Sequence, residues 1–136
     1  AGLLFAGYAI GAEVEVTITG NDQMQFDTKA FEVAAGDTVK LTFKNVGKLP
    51  IVAMGHNLVI LKSGEEIAPF AMAGMTAKDH GYIPQNMLDK IVAKTKLLGP
   101  GEEDVITYEA PAAGAYKYLC TFPGHFAIMN GVMTVK

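Results

Sequence analysis

The 136-residue sequence predicts an all-β fold, an antiparallel sandwich or barrel of seven or eight short strands. In several segments polar and apolar side chains alternate, which is typical of strands with one buried face. Clusters of Gly, Pro, Asn and Asp separate these segments, in a chain with 15 glycines and six prolines. A single stretch, 63–90, departs from this pattern.

The alternation is clearest near the beginning of the chain. Segments 13–19 and 38–45 alternate along their whole length, and 29–33 is a shorter segment of the same kind. Segment 57–61 is instead a nearly continuous apolar run, which favours a strand buried on both faces. Later strands are predicted at 91–97, 104–109, 115–120 and 131–136.

The stretch 63–90 has a helical pattern. Ser63 and Glu66 have the spacing of a capping box, with Ser63 as the N-cap residue. The apolar residues that follow share one helical face: Ile67, Phe70, Ala71 and Met75. We therefore predict a partly helical insertion at 63–90, with a short second turn of helix at 86–90.

The composition indicates one folded domain, which we place at 12–136. Apolar residues make up 50% of the chain and charged residues 18%, as is typical of globular proteins. The net charge of −3, without a run of Lys, argues against nucleic acid as a partner.

Residues 1–11 form an apolar N-terminal extension without a charged side chain. The segment is too short for a membrane-spanning helix, which needs about 20 apolar residues. Two interpretations stay open. The segment packs on the domain or on a neighbouring chain, or it is the tail of a secretory signal that lacks the usual positive region. Its role is unknown, and membrane association through 1–11 is a further possibility.

Four side chains with metal-binding atoms stand out. Cys120, His125 and Met129 lie close together near the end of the chain, and His56 lies far upstream. A Pro-Gly turn between Cys120 and His125 brings the histidine back toward the cysteine. Two imidazoles, a thiolate and a thioether are the donors of mononuclear copper sites that transfer electrons. Because Cys120 is the only cysteine, a disulfide within the chain is impossible.

Each donor has another role when it is considered alone. Cys120 fits a small buried residue, His56 a hydrogen-bonded core histidine, and Met129 a core-filling side chain. Their combined spacing favours copper ligation. Met133 is a rival axial donor, but its alternation along the last strand directs it into the core.

The remaining histidine, His80, lies in a polar segment, and we expect it to be exposed. Copper oxidases and nitrite reductases need further histidines for a second copper centre. The sequence therefore does not predict an enzyme, and no Ser/His/Asp set or pair of carboxylates stands out.

Three strings resemble known proteins: residues 20–26, residues 54–57, and residues 120–125 followed by Met129. With them the chain resembles the azurins of the blue-copper cupredoxin family, over about residues 12–136. It is more weakly similar to the auracyanins, which are membrane-associated. The resemblance implies an eight-stranded Greek-key sandwich with the helical insertion between the fourth and fifth strands. It also implies a type 1 copper electron-transfer protein.

The resemblance implies a ligand set. Copper would be bound by His56, Cys120 and His125, with Met129 as the weak axial ligand and the Gly55 carbonyl as a distant fifth donor.

It also implies roles for neighbouring residues. Asn57 would connect the two ligand loops through Thr121, and backbone N–H groups of Asn57 and Phe122 would donate to the thiolate. Redox proteins would dock transiently at an apolar surface around an exposed His125. That surface would consist of Leu49, Ala53, Met54, Met75, Phe122, Gly124, Ala127 and Ile128. For Met75 the buried face of the predicted helix is an equal alternative.

The chain departs from the azurin pattern at several positions. Val14 and Asp37 stand where azurins usually have a disulfide, and Leu58 stands where they have a core tryptophan. Asn45 replaces a pH-responsive histidine, and Lys94 replaces a surface histidine. The histidine missing at 45 argues against a proton-linked change of potential. Phe126 adds an aromatic ring after the copper histidine, and we expect this ring to alter partner choice.

The leading hypothesis is therefore a copper electron carrier of the periplasm, with membrane association possible through 1–11. The alternative is a copper storage or delivery protein, since Met, His and Cys also bind Cu(I). Zinc can occupy the same donors without being the working metal.

Overall fold

In the part of the chain that the structure describes, residues 11–136, eight strands form two sheets. The structure is a computed structural model. The strands are β1 (Glu13–Gly20), β2 (Ala30–Val33), β3 (Thr38–Asn45), β4 (Val59–Leu61), β5 (Ile91–Lys94), β6 (Glu103–Glu109), β7 (Gly114–Leu119) and β8 (Asn130–Val135). The helices are α1 (Ile51–Met54) and α2 (Ile67–Gly74), with 3₁₀ helices at Lys78–His80 and Gln85–Lys90.

The sheets have the strand orders β1-β3-β6 and β2-β8-β7-β4-β5. They remain separate, so the fold is a sandwich rather than a closed barrel. β1 pairs with β3 and β2 with β8 in parallel, while the other pairings are antiparallel. The predicted eight-stranded sandwich is confirmed, and two of its pairings are parallel where antiparallel ones were expected. Because β2 lies in the opposite sheet, the chain crosses the sandwich twice between β1 and β3, and β3 regains the direction of β1.

Alternating burial along β3 shows how the main core is built. Val39, Leu41 and Phe43 are fully buried between the sheets, and the intervening residues face outward. In β4 all three residues are buried, as the apolar run predicted. Met133 is also fully buried and accepts a hydrogen bond from the Tyr108 hydroxyl at 3.2 Å, so the last strand directs Met133 into the core.

The helical insertion lies between β4 and β5 as predicted, but its predicted beginning was wrong. The N-cap of α2 is Glu66, and no side chain caps the helix. Ser63 instead belongs to a turn in which the Glu65 N–H donates to the Lys62 carbonyl, with Gly64 at φ +87°. The Ser-Gly pair favours this turn more than a helix start, because glycine reaches the left-handed region without a steric cost.

A second apolar cluster lies beneath the insertion. It joins α2, strand β4 and the end of β7 through Val59, Leu61, Phe70, Ala71, Ile83 and Leu119. Phe126, from the loop between β7 and β8, packs against this cluster. The insertion is thus attached to the sandwich by its own small core.

A buried carboxylate, Asp37, lies at one of the two positions where the azurin resemblance implied a disulfide. Asp37 accepts hydrogen bonds from the N–H groups of Ala12 at 3.0 Å and Ala34 at 2.9 Å. It thereby ties the residue before β1 to the turn before β3. Gly11 passes so close to the Gly36 carbonyl that a side chain at Gly11 would collide with it.

The predictions about the N-terminal extension concern residues 1–11. Of these, 1–10 lie outside the described residues, and only Gly11 is described. None of the helices within 11–136 combines the length and the apolar character that a membrane crossing requires.

Candidate metal centre

The loop between β7 and β8, residues 120–129, carries three of the four candidate ligands; we call it the ligand loop. Cys120 follows directly after β7. The His125 N–H donates to the Phe122 carbonyl at 3.0 Å, and Gly124 has φ +85°. This is the turn that the Pro-Gly pair predicted. The Met129 N–H donates to the His125 carbonyl at 2.8 Å and continues the coil.

His56 comes from the opposite part of the sequence, just after α1. Its backbone forms a bridge with Leu98, with N···O distances of 3.1 Å and 2.7 Å. Main-chain hydrogen bonds therefore hold the segment around His56 in place independently of its side chain. The ring is completely buried.

The three strongest donors meet at one point. The Cys120 Sγ atom lies 3.9 Å from His56 Nδ1 and 3.7 Å from His125 Nδ1. All three donor atoms lie within 4.8 Å of one another, and all three residues are buried. The fourth side chain, Met129, is adjacent: a side chain at Gly20 would meet both Met129 Cε at 3.0 Å and His56 Cδ2 at 3.2 Å.

These separations fit a metal ion at the centre. Metal–thiolate bonds of about 2.3 Å and metal–imidazole bonds of about 2.0 Å, in a planar triangle, put the sulfur and nitrogen about 3.7 Å apart. The observed distances of 3.7 and 3.9 Å agree with this value. Two nitrogens, a thiolate and a nearby thioether match the preferences of copper.

A main-chain carbonyl fixes the tautomer of His56. His56 Nε2 lies 2.7 Å from the Asn21 carbonyl, which only accepts, so Nε2 carries the proton and donates. The lone pair of Nδ1 is then free to face the metal site. Asn21 is held in turn by its own side chain, which accepts hydrogen bonds from the N–H groups of Gln23 and Gln25.

Asn57 joins the two ligand-bearing segments, as the resemblance implied. Its Nδ2 donates to Thr121 Oγ1 at 2.7 Å, and its Oδ1 accepts from the Thr121 N–H at 2.8 Å. Its Nδ2 also donates to the Gly81 carbonyl at 3.2 Å, which links the helical insertion to the same point. The amide of Asn57 is completely buried, so these bonds are shielded from water.

Burial controls the protonation of the donors. Burial raises the pKa of the Cys120 thiol to about 12, although backbone N–H groups of Asn57 and Phe122 donate to the sulfur and lower it. Burial lowers the pKa of His125 to about 4, with a smaller lowering from the charge of His56. Burial also lowers the pKa of His56, opposed by its bond to Asn21 and by the charge of Asp22. A bound cation would favour the thiolate that burial disfavours, and neutral imidazoles are the form that binds metal.

Asn45, where the resemblance implied that a histidine is often found, contacts the segment that bonds to the His56 backbone. It is buried, and its Nδ2 donates to the Leu98 carbonyl at 3.0 Å, the same oxygen that accepts from the His56 N–H. Its Oδ1 accepts from the Gly47 N–H at 2.9 Å. Since an amide does not titrate, this position supports the His56 segment without adding a proton-linked group.

The surface around the site partly differs from the expected docking surface. His125 is only 3% exposed and Phe122 only 9%, so the prediction of an exposed copper histidine with Phe122 beside it on the surface was wrong. Both are covered because Phe122 packs against the His125 ring, with the ring centroids 4.6 Å apart. Leu49, Met75 and Ile128 are between 44% and 49% exposed, which excludes the buried-helix alternative for Met75. His80 is exposed, as expected.

Sequence reasoning missed three contributors to the site. The Asn21 carbonyl could not be identified, because a main-chain acceptor can come from any residue type. Gly20 and Tyr82 gave no signal either, because their importance lies in a close approach to Met129 and in a ring contact with Phe122.

The sandwich and the buried His₂Cys set beside a methionine define a candidate type 1 copper protein. Comparison with known proteins agrees. Residues 12–136 match the model of copper binding proteins of the plastocyanin/azurin family, and the chain belongs to this family.

Relatives and solved structures support the same family. The chain is 41% identical over 130 residues to an azurin of Pseudomonas fluorescens biotype C, covering 92% of this chain and all of the relative. It is 43% identical over 122 residues to outer membrane protein H.8 of Neisseria gonorrhoeae, covering 88% of this chain and 66% of the relative. Auracyanin A, a "blue" copper protein of Chloroflexus aurantiacus, superposes with a TM-score of 0.83 at 35% identity, covering 92% of this chain and all of that structure.

Proposed function

We propose that this chain is a type 1, or blue, copper electron carrier and not an enzyme. The observation that carries the proposal is the convergence of the Cys120, His56 and His125 donor atoms within 4.8 Å in a buried, hydrogen-bonded setting. Copper bound there would alternate between Cu(II) and Cu(I) and exchange electrons with redox proteins by an outer-sphere route.

The geometry supports our ligand assignment. We assign His56 Nδ1, His125 Nδ1 and Cys120 Sγ to a trigonal set, because their separations fit one metal ion. Met129 would be the fourth and weaker ligand, since its side chain lies beside His56 against Gly20. The Gly55 carbonyl, on the residue before His56, would be a more distant donor.

The surrounding bonds keep the donors in place when an electron arrives or leaves. The Asn21 carbonyl holds the His56 ring, and Asn57 holds Thr121 beside the thiolate. Because these bonds fix the donors, the donors would keep the same positions around Cu(II) and Cu(I). Electron transfer would then need little structural reorganisation. The same rigidity and burial argue against the alternative of copper storage or delivery, which requires exchangeable ligands.

Partners would dock on the apolar surface around His125. Its most exposed members are Leu49, Met75 and Ile128, together with Ala53, Gly124 and Ala127. The flexible thioether of Met75 and the exposed apolar side chains around it suit a transient contact. Val52, on α1, is 77% exposed and extends the expected surface.

We propose a periplasmic location for the protein; membrane association through 1–11 stays a prediction. The support is the similarity to an azurin and to outer membrane protein H.8. The apolar character of 1–11 is consistent with attachment.

Copper loading tests the function. We expect an intense blue Cu(II) protein that is reversibly reduced and keeps its metal against a chelator. A colourless Cu(II) complex with fast exchange would instead support delivery, and turnover of nitrite or oxygen would support an enzyme. Zinc-loaded protein is the control, since it fills the same donors without colour or redox activity.

A further inference from the structure

Two aromatic contacts connect the helical insertion to the ligand loop. The first is Tyr82, whose ring meets the Phe122 ring edge-on at a centroid distance of 5.3 Å and an angle of 67°. Phe122 packs in turn against His125 at 4.6 Å, and its N–H donates to the Cys120 sulfur. Tyr82 therefore supports a residue that touches two of the proposed ligands.

Tyr82 is held in an unusual backbone conformation. Gly81 has φ +63° and Tyr82 has φ +64°, and a bulky residue adopts this region only where its surroundings enforce it. The Gly81 carbonyl accepts from Asn57, and the Tyr82 N–H donates to the Ala77 carbonyl at 2.9 Å. The Tyr82 carbonyl packs so closely on Gly74 of α2 that a side chain at Gly74 would collide with it.

The second contact is Phe126, next to His125 in the chain. Its ring is partly buried against the cluster beneath α2, where Phe70, Ala71 and Ile83 come from the insertion. The Asn130 side chain donates to the Phe126 carbonyl at 2.9 Å and to the Ala127 carbonyl at 3.3 Å, which fixes the backbone on that side. The expectation that this ring alters partner choice stays a prediction.

We propose that the insertion, 63–90, is a clamp that holds the ligand loop in its metal-binding geometry through two positioning residues, Tyr82 of the insertion and Phe126 of the loop itself. Loops of this kind open easily when few packed contacts hold them. The clamp packs against Phe122, which precedes His125 in the chain, and against Phe126, which follows it. It deepens the proposed function, but it is a property of the metal-free chain and can be tested without copper.

Hydrogen exchange of the metal-free protein tests the clamp. The reporters are the amides of His125, Ile128 and Met129, which all bond within the ligand loop. In Phe126→Ala and in Tyr82→Ala we expect these amides to exchange about tenfold faster or more, because a ring that packs the loop is lost. In Phe126→Leu and Tyr82→Phe, which retain most of the packing, exchange should stay near that of the parent.

A matched control separates the clamp from general destabilisation. Phe31 on β2 is also a partly buried ring, and it packs against Tyr118 at 5.7 Å, outside the insertion and the ligand loop. Phe31→Ala should accelerate exchange of the reporters no more than of the sandwich strands. If Phe126→Ala and Tyr82→Ala behave like Phe31→Ala, or leave the reporters unchanged, the clamp is overturned.

A second readout uses the copper-loaded protein. We expect Phe126→Ala and Tyr82→Ala to shift the ratio of the visible charge-transfer bands and the reduction potential, with recovery in Phe126→Leu and Tyr82→Phe. Unchanged bands and potential in the alanine variants would count against positioning. If the parent binds no blue copper while the exchange result holds, the proposed function fails and the clamp stands.

Discussion

Asn57 concentrates the connection between the two ligand segments in one side chain. It makes both bonds to Thr121 and a third to the Gly81 carbonyl, and no water reaches it. Removing a buried amide leaves the Thr121 N–H without its partner, and an unsatisfied buried group costs about 1–3 kcal/mol.

We therefore predict that Asn57→Ala lowers the free energy of unfolding by at least about 2 kcal/mol and shifts the reduction potential. Urea unfolding and voltammetry measure these effects. Asn86→Ala is the control, because Asn86 is exposed on a 3₁₀ helix and its loss should change stability by less than about 0.5 kcal/mol. Equal effects of the two substitutions would contradict the bridging role.

The protonation of the donors gives a second prediction for single residues. Near neutral pH the Cys120 thiol, with its pKa raised to about 12, holds its proton, while His125, with its pKa lowered to about 4, is already neutral. Copper binding should therefore release about one proton per ion, taken from the thiol.

Calorimetry of copper binding in buffers of different ionisation enthalpy measures the released protons. The number should stay near one between about pH 7 and 8, because the Cys120 thiol stays protonated there and burial lowers the pKa of both histidines. Cys120→Ser should release none and give no blue band. A release of two or more protons would show that the histidines are protonated in the metal-free protein.

At this scale the sequence pointed to the candidate ligands, because metal-binding atoms belong to a few side-chain types. A lone Cys, two His and a Met at these positions leave few other interpretations. It identified the support of His56 poorly, because Asn21 acts through its main chain. It also described His125 as exposed, since the covering by Phe122 depends on three-dimensional packing.

At the scale of elements, the Pro-Gly turn of the ligand loop is the feature most clearly required by the site. Gly124 has φ +85°, and an added Cβ would meet nothing within 4 Å. Gly101 has φ +79° and equally open surroundings, in the turn before β6. Both glycines need the left-handed backbone conformation, but only Gly124 lies next to a proposed ligand.

We predict that Gly124→Ala and Gly101→Ala each destabilise the metal-free protein by about 1–2 kcal/mol, the cost of the left-handed conformation. Only Gly124→Ala should change the copper spectrum, because His125 is the next residue. Urea unfolding and visible spectroscopy distinguish these effects. A spectral change in Gly101→Ala of similar size would mean that the spectrum reports overall strain and not the loop.

Strands were predictable because polar and apolar residues alternate along the chain, and the folded strands show the same alternation of exposed and buried residues. Helices were less predictable. Helix α1 was missed, since it is a single turn without a buried residue and gives no periodic signal. The beginning of α2 was misplaced because Ser63 and Gly64 favour a turn that local pattern alone does not rank above a cap.

At the scale of the whole molecule, the buried histidines make stability depend on pH. The pKa of His125 is lowered by burial to about 4, and that of His56 is also lowered. Between pH 6.5 and 4 the unfolded chain therefore binds more protons than the folded one. Stability must fall as the pH falls through this window.

We predict that the metal-free protein loses up to about 3 kcal/mol of unfolding free energy between pH 6.5 and 4, beyond the change caused by carboxylates. Urea unfolding at several pH values measures the slope. His125→Gln, which cannot titrate, should show a clearly flatter dependence over this window. An unchanged slope in that variant would contradict burial as the cause.

The position of the docking surface gives the last prediction. Leu49, in the expected surface, and Val105, on the edge strand β6, are each 44% exposed. Leu49→Asp and Val105→Asp add the same charge at equal exposure. When reduced and oxidised copies of this chain exchange electrons, their docking surfaces must face each other, so the new charges repel only in Leu49→Asp.

We therefore expect Leu49→Asp to slow electron self-exchange at low salt by about tenfold, with recovery as salt screens the repulsion. Val105→Asp should leave the rate within about twofold of the parent. Line broadening in mixtures of the two oxidation states measures the rate, and unchanged visible spectra show that the copper site is intact. Equal slowing in both variants would mean that net charge governs the encounter. That result would contradict electron exchange through the surface that contains Leu49.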